Sequence, residues 1–183
     1  MHNFSYVNYF AKEAFMEKMT EFLTITRELN KIGITPLLMG SLGLEQVTQK
    51  DWQVCDIDIH VPSDPRGWEA PDDQRIVQFD KIEALMQKLG YELYDLHEHA
   101  FQKGNFDVQF GGIDSLESFA GVSPKDLQRK QAEGANYLLP TASQFLKIYR
   151  ASSQDSYRND RKNNKDFAKI AYLEDLLQTK TPN

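Results

Sequence analysis

The chain has 183 residues, 40% of them hydrophobic and 26% charged, an ordinary globular composition that excludes global disorder. Its net charge of −6 excludes a surface built for general DNA or RNA coating, and one cysteine, Cys55, excludes an internal disulfide or a multi-cysteine zinc site. No basic segment followed by an apolar run opens the chain, and no stretch approaches the ~20 apolar residues that cross a bilayer. The expectation is therefore a soluble cytoplasmic protein with no membrane role. The charge is uneven: residues 140–183 carry 8 Lys and Arg against 5 Asp and Glu, and the preceding 139 carry 13 against 22. Local binding of an anion explains that imbalance, and so does random surface variation.

Taken in chain order, Phe15, Met19, Phe22, Leu23 and Leu29 predict a helix over Tyr9 to Lys31, stopped by Gly33. Ile34 to Met39 reads as a short buried strand, and Leu42 to Gln49 as a short helix. Val54 to Val61 is the clearest strand, with Cys55, Ile57, Ile59 and Val61 alternating against Asp56, Asp58 and His60. Ser63 to Asp73 is a loop by its Pro and Gly content, and Gln74 to Leu89 is an amphipathic helix ended by Gly90. Tyr91 to His97 is the next strand, and Lys103-Gly104-Asn105 is a hairpin turn into the strand Phe106 to Phe110. Gly111 to Gly134 reads as mostly irregular, with a short helix opening at Ser123-Pro124. Thr141 to Gln144 is a capping box opening a helix through Tyr149, and a last helix covers about Asn164 to Gln178 with Phe167, Ile170, Ala171, Leu173 and Leu177 inward. This order predicts an α/β (α+β) sandwich with helices on one side and C-terminal helices added. It divides into a core at residues 1–139 and a helical segment at residues 140–183 packed on it.

Three features of this order carry chemistry. Gly40-Ser41-Leu42-Gly43 lies at a strand-to-helix turn, where glycine admits close approach of a phosphate and the helix start offers unpaired N–H groups. Asp56 and Asp58 share one face of a strand whose other face is apolar, with Cα atoms about 6.6–6.8 Å apart by strand geometry. Like charges there repel unless a cation lies between them, and the alternative is a solvated edge strand. Asp107 stands alone on the polar face of a second apolar strand. Three carboxylates on neighbouring strands can hold two Mg2+ ions about 3.5–4 Å apart, the spacing that steers in-line phosphoryl displacement.

Met39-Gly40-Ser41, Cys55-Asp56-Ile57-Asp58-Ile59 and Phe106-Asp107-Val108 together resemble the pattern of polymerase-β-like nucleotidyltransferases. The likeness is to small bacterial members, the lincosamide- and aminoglycoside-type enzymes and those of abortive-infection systems. In that subgroup a helix carrying a lysine follows the core, then a helix with basic residues before an Asp. Phe145-Leu146-Lys147 and the run from Arg161 and Lys162 to Lys165-Asp166-Phe167 occupy those places. The resemblance implies a nucleotidyltransferase-like mixed sheet in which Gly40 and Ser41 bind the β,γ-phosphates. It implies that Asp56, Asp58 and Asp107 ligate Mg2+, two ions, with Mn2+ as a substitute, and that Asp107 helps deprotonate the acceptor. The 14 residues between Ser41 and Asp56 exceed the family's common spacing.

Other residues carry weaker signals. Lys147 reads equally as a triphosphate contact and as a solvated helix lysine. His97 and His99 on one strand face have no third metal ligand nearby in sequence, which favours surface or acceptor-pocket histidines. His60 borders the aspartate pair or is a bystander, and Cys55 is expected in the core beside Ile57. The aromatics Tyr6, Tyr9, Phe10 and Phe15 read as core rather than a base-stacking platform. Ser41 lacks the hydrolase elbow, since Met39 stands where its first glycine belongs, and no P-loop or dinucleotide fingerprint exists. The expected function is transfer of a nucleoside monophosphate from an NTP to a hydroxyl of a small molecule, a protein or a tRNA. The alternative is a nucleotide- or partner-binding module of a defence or toxin–antitoxin system.

Overall fold

The structure, a computed structural model, describes residues 3–154 and 165–179, with the side chains of residues 12–154 and 166–179. Helix α1, Asn3–Lys31, buries Met19, Phe22, Leu23, Ile25 and Leu29 on one stripe. It ends where Gly33 takes φ +82, and the Asn30 amide holds the carbonyls of Ile34 and Asn136 at 2.9 and 3.0 Å. There follow β1 (Leu37–Leu38), α2 (Gly40–Thr48), β2 (Ile57–Val61), α3 (Phe79–Lys88), β3 (Glu92–Asp95), β4 (Ala100–Lys103) and β5 (Phe106–Gly112). The chain continues through α4 (Leu116–Ala120), β6 (Gln128–Ala132), β7 (Ala135–Leu139), α5 (Ala142–Ser153) and α6 (Lys165–Gln178). Among the described residues no helix is long and apolar enough to cross a membrane.

The seven strands form one mixed sheet in the order β3-β4-β5-β2-β1-β7-β6. β2 runs parallel to β5 and β1 parallel to β7, while β1 and β2 are antiparallel. Period-two alternation sorts the side chains: Leu38, Ile57, Ile59, Val108 and Phe101 are fully buried on one face, beneath apolar residues of α1, α2, α3 and α5. Each such aliphatic side chain contributes about 1.5–3 kcal/mol by leaving water. On the opposite face Leu37 and Met39 meet Leu116 of α4 and Ile148 of α5 in a second, smaller cluster. The rest of that face, over β2 and β5, presents Asp58, His60, Asp107 and Gln109, all half-buried. This is the mixed α+β architecture expected from the order of elements, with most helical packing on one face.

Several elements differ from the sequence-based expectation. β2 begins at Ile57, not Val54, because the Asp51 carboxylate accepts from the Gln53 N–H at 2.7 Å and Gln53 adopts φ +53. Cys55 is consequently exposed, not in the core, and its thiol donates to the Gln53 carbonyl at 3.3 Å. α3 starts at Phe79 because Ile76 bridges back to Ser63 and Gln78 turns left-handed at φ 57. The region expected to be irregular, Gly111 to Gly134, contains α4 and β6, and β7 follows directly after it. β6 is an exposed edge strand without apolar alternation, so periodicity could not reveal it. The capping box at Thr141 is present with both of its hydrogen bonds, and α5 runs past Tyr149 to Ser153. In α6 the inward row is Asp166, Lys169, Ile170, Leu173 and Leu177. Phe167, 50% exposed, and Ala171 are exposed, not inward. Asn164, Arg161 and Lys162 lie outside the described residues, as do the side chains of Tyr6, Tyr9, Phe10 and Lys165.

Candidate active site

The turn from β1 to α2 puts Gly40 at the first helical position with φ +60, which favours glycine. A Cβ there would lie 1.7 Å from Asp58 Oδ2, so the carboxylate rests directly against the Gly40 backbone. The Met39 N–H donates to the Asp58 carbonyl at 3.0 Å, pinning the turn to β2. Gly43 also admits close packing, since a Cβ there would stand 2.9 Å from the Leu38 carbonyl oxygen. Met39 as N-cap supplies no side-chain acceptor to the first turn of α2. The start of α2 thus combines a positive dipole end with backbone N–H groups that its N-cap leaves uncapped.

Ser41 follows, and its Oγ accepts a hydrogen bond from Lys169 Nζ at 3.0 Å. That ammonium lies 4.7 Å from the centre of the Tyr149 ring, so α5 and α6 together hold it over the turn. α6 is tied to α5 by Ser152 Oγ donating to Asp166 at 2.9 Å and by the Arg150–Glu174 pair at 2.7 Å. Lys147, the lysine favoured by the family pattern, is exposed on α5. Sequence reasoning missed Lys169. Its signal was its place on the inward row of α6, three residues from Asp166.

Asp58 lies on β2 opposite Gln109 of β5, and the next pair back is Ile57 with Val108. Asp107 precedes Val108 on β5, while Asp56 lies in a bend one residue before β2 begins, not on the strand. The Asp107 carboxylate accepts from the Tyr94 hydroxyl at 2.8 Å through Oδ2. Its Oδ1 is buried with no hydrogen-bond partner among the described residues. The Tyr94 phenol is pushed up to about 12, first by burial, then by the hydrogen bond to Asp107 and the charges of Asp107, Asp95 and Asp56. The fields of Asp56 and Asp107 therefore overlap at that phenol. Further along β2 the His60 ring packs over Gly111, where a Cβ would meet Nε2 at 2.4 Å, and its Nδ1 is 3.1 Å from the Gly112 carbonyl.

Carboxylate oxygen donors match a hard divalent cation such as Mg2+, ordinarily held by one or two carboxylates together with substrate phosphates. The buried, unpaired Oδ1 of Asp107 and the Asp58 carboxylate against the glycine turn fit that requirement. Among the described residues no three His, Cys, Asp or Glu side chains converge into a ready-made metal cage.

His97 and His99 lie in the turn between β3 and β4, not on a strand face. His97 Nδ1 faces the Asp72 carboxylate at 3.1 Å, while His99 is buried, 1% exposed, with Nε2 2.7 Å from the Asp72 carbonyl. Burial holds the His99 imidazole below its ordinary range. Arg75, buried, bonds the His97 carbonyl at 2.7 Å and Asp72 at 2.6 Å, and lies 4.4 Å from the Trp68 ring. These contacts anchor the segment 63–78 onto the hairpin, which gives both histidines a structural occupation.

No profile of a known protein family matches the chain. Among solved structures, an antigenic nucleotidyltransferase-like protein from Paracoccidioides brasiliensis matches with a TM-score of 0.55 at 16% identity, covering 87% of this chain and 76% of that one. The antibiotic-resistance factor ANT(2'')-Ia overlaps with a TM-score of 0.42 at 11% identity, covering 91% and 90% of the two chains. The assignment of a nucleotidyltransferase-like fold rests on the first. Among curated proteins, the uncharacterized protein YnaI of Bacillus subtilis (strain 168) is 39% identical over 166 residues, 89% of this chain and 99% of YnaI. The chain belongs to the family of YnaI, and its fold is nucleotidyltransferase-like.

Proposed function

We propose that the chain is a divalent-metal-dependent nucleotidyltransferase that moves a nucleoside monophosphate from an NTP to a hydroxyl. The observation that carries this reading is the β1–α2 turn. There a glycine backbone lies against the Asp58 carboxylate, and a lysine from α6 sits on the adjoining Ser41 hydroxyl. The backbone N–H groups of Gly40 and Ser41 would receive the β,γ-phosphates, with the dipole of α2 favouring their charge. Lys169 would pass from Ser41 Oγ to a phosphate oxygen, a stronger partner than a neutral hydroxyl. Asp56, Asp58 and Asp107 would hold Mg2+ or Mn2+. When bound, such ions neutralise the triphosphate and the attacking oxygen. Asp107 would also take the proton from the acceptor hydroxyl, and most of the rate would come from positioning and charge neutralisation. The acidic body suits a cationic small molecule or a protein as acceptor better than a tRNA, whose phosphates it repels. The test is to incubate the protein, Mg2+ and each α-labelled NTP with cell extract. The expected result is a labelled acceptor that requires Asp56 and Asp58. No labelled product with any NTP would favour a nucleotide- or partner-binding module in a defence or toxin–antitoxin system.

A further inference from the structure

The Tyr94 hydroxyl lies against the carboxylate that the proposed reaction would use as its base. Tyr94 is on the edge strand β3, 49% exposed, and a register shift between Leu93 and Asp95 interrupts its pairing with β4. Glu92 pairs with Gln102 and Gln102 with Asp107, so side chains of β3 reach the polar face across β4. There the phenol donates to Asp107 Oδ2 at 2.8 Å, within the 2.6–3.2 Å that general-base transfer requires. Asp107 is the carboxylate assigned above to deprotonate the acceptor. The hydroxyl already in its reach belongs to the chain itself, on a surface open to solvent.

We infer that Tyr94 is a self-modification site, nucleotidylated by the chain's own active site. The inference rests on the nucleotidyltransferase reading and deepens it by naming an acceptor. In the step, the phenol oxygen forms a bond to the α-phosphorus of an NTP, and the bond from that phosphorus to the bridging oxygen breaks. Pyrophosphate leaves with the electron pair, and the phenol proton passes to Asp107 Oδ2. The product is a tyrosyl nucleoside-monophosphate diester. Its oxygen has no proton to donate, so the Tyr94–Asp107 hydrogen bond ends with the reaction.

The purified full-length protein should be incubated with Mg2+ or Mn2+ and each of the four NTPs, labelled in parallel at the α- or γ-phosphate. The expected result is protein-bound α label without γ label, and one peptide, the one containing Tyr94, heavier by a nucleoside monophosphate. Tyr94→Phe should abolish the label with an unaltered circular dichroism spectrum. Tyr172→Phe, which changes a phenol of α6 whose ring meets Trp52 edge to face, should keep it. Label on another residue, or undiminished label in Tyr94→Phe, overturns the inference. If an NTP with Mg2+ raises the melting temperature but no label stays on the protein, Tyr94 is not an acceptor and the nucleotidyltransferase reading survives. If neither shift nor label occurs with any NTP, both fall.

Discussion

Gly40 is the residue on which the candidate site turns. Its φ of +60 costs a side-chain-bearing residue roughly 1–2 kcal/mol, and any Cβ must also displace the Asp58 carboxylate. Gly40→Ala should therefore lower the melting temperature without nucleotide, and Gly40→Val should in addition remove any nucleotide-induced shift. A melting curve for Gly40→Ala that overlays the wild type would contradict the described contact. At the same scale, Lys169 and Lys147 separate the geometry from the family pattern. A hydrogen bond to a charged partner contributes about 1.5–3 kcal/mol. Lys169→Met should thus weaken MgATP or MgGTP binding roughly ten- to a hundredfold by calorimetry. Lys147→Met should leave it unchanged, since that side chain is exposed on α5. The reverse ranking would return the triphosphate contact to Lys147. The three aspartates and the Gly-Ser turn were legible in the sequence because each breaks a local rule: carboxylates on an otherwise apolar strand, and glycine where a helix begins. Lys169 was not legible, because its meaning depends on how α6 docks.

Individual elements show where periodicity carries information and where tertiary contacts override it. α1 was readable because its apolar stripe is long and ends at a glycine, and α5 because its capping box is a local device. β6 was not readable, since an exposed edge strand reading Gln128-Arg129-Lys130-Gln131 has no apolar face to announce it. The boundary of β2 was missed by three residues because an Asx turn at Asp51–Gln53, not the alternation, decides where extended pairing starts. The segment between β2 and α3, read in sequence as a loop at Ser63 to Asp73 and the start of a helix at Gln74, proves to be anchored by Asp72, Arg75, His97 and His99. His99 gives this junction a pH dependence. Its imidazole is held below the ordinary value by burial, so the folded state binds the proton less readily than the unfolded chain. Its contribution is intact above the unfolded value near 6.5 and is lost as the pH falls through the window below it. The wild-type melting temperature should drop more steeply below about pH 6.5 than that of His99→Gln, which keeps an N–H donor for the Asp72 carbonyl. Parallel curves for the two proteins would show that the junction does not titrate through His99.

At the scale of the whole molecule, the sheet divides labour between its faces. One face carries the core under α1, α2, α3 and α5, while half of the other is left polar, where the Asp-bearing starts of β2 and β5 lie side by side. The α+β class and the helices on one side were legible because β2 and β5 each alternate toward a single apolar face. The strand order β3-β4-β5-β2-β1-β7-β6 was not, because nothing local in the sequence dictates which strands become neighbours. α6 closes the design from a distance of 128 residues, bringing a cation to a turn whose neighbours are carboxylates. That arrangement makes an electrostatic demand: the acidic face should repel a bare triphosphate and accept it only with a divalent cation. The most direct test is calorimetric titration of the protein with ATP and GTP, with Mg2+ and then with EDTA. Saturable binding that needs Mg2+ and disappears in Asp56→Asn/Asp58→Asn is the predicted result. Binding that is equal in EDTA, or unchanged in the double variant, would contradict the proposed nucleotidyltransferase site.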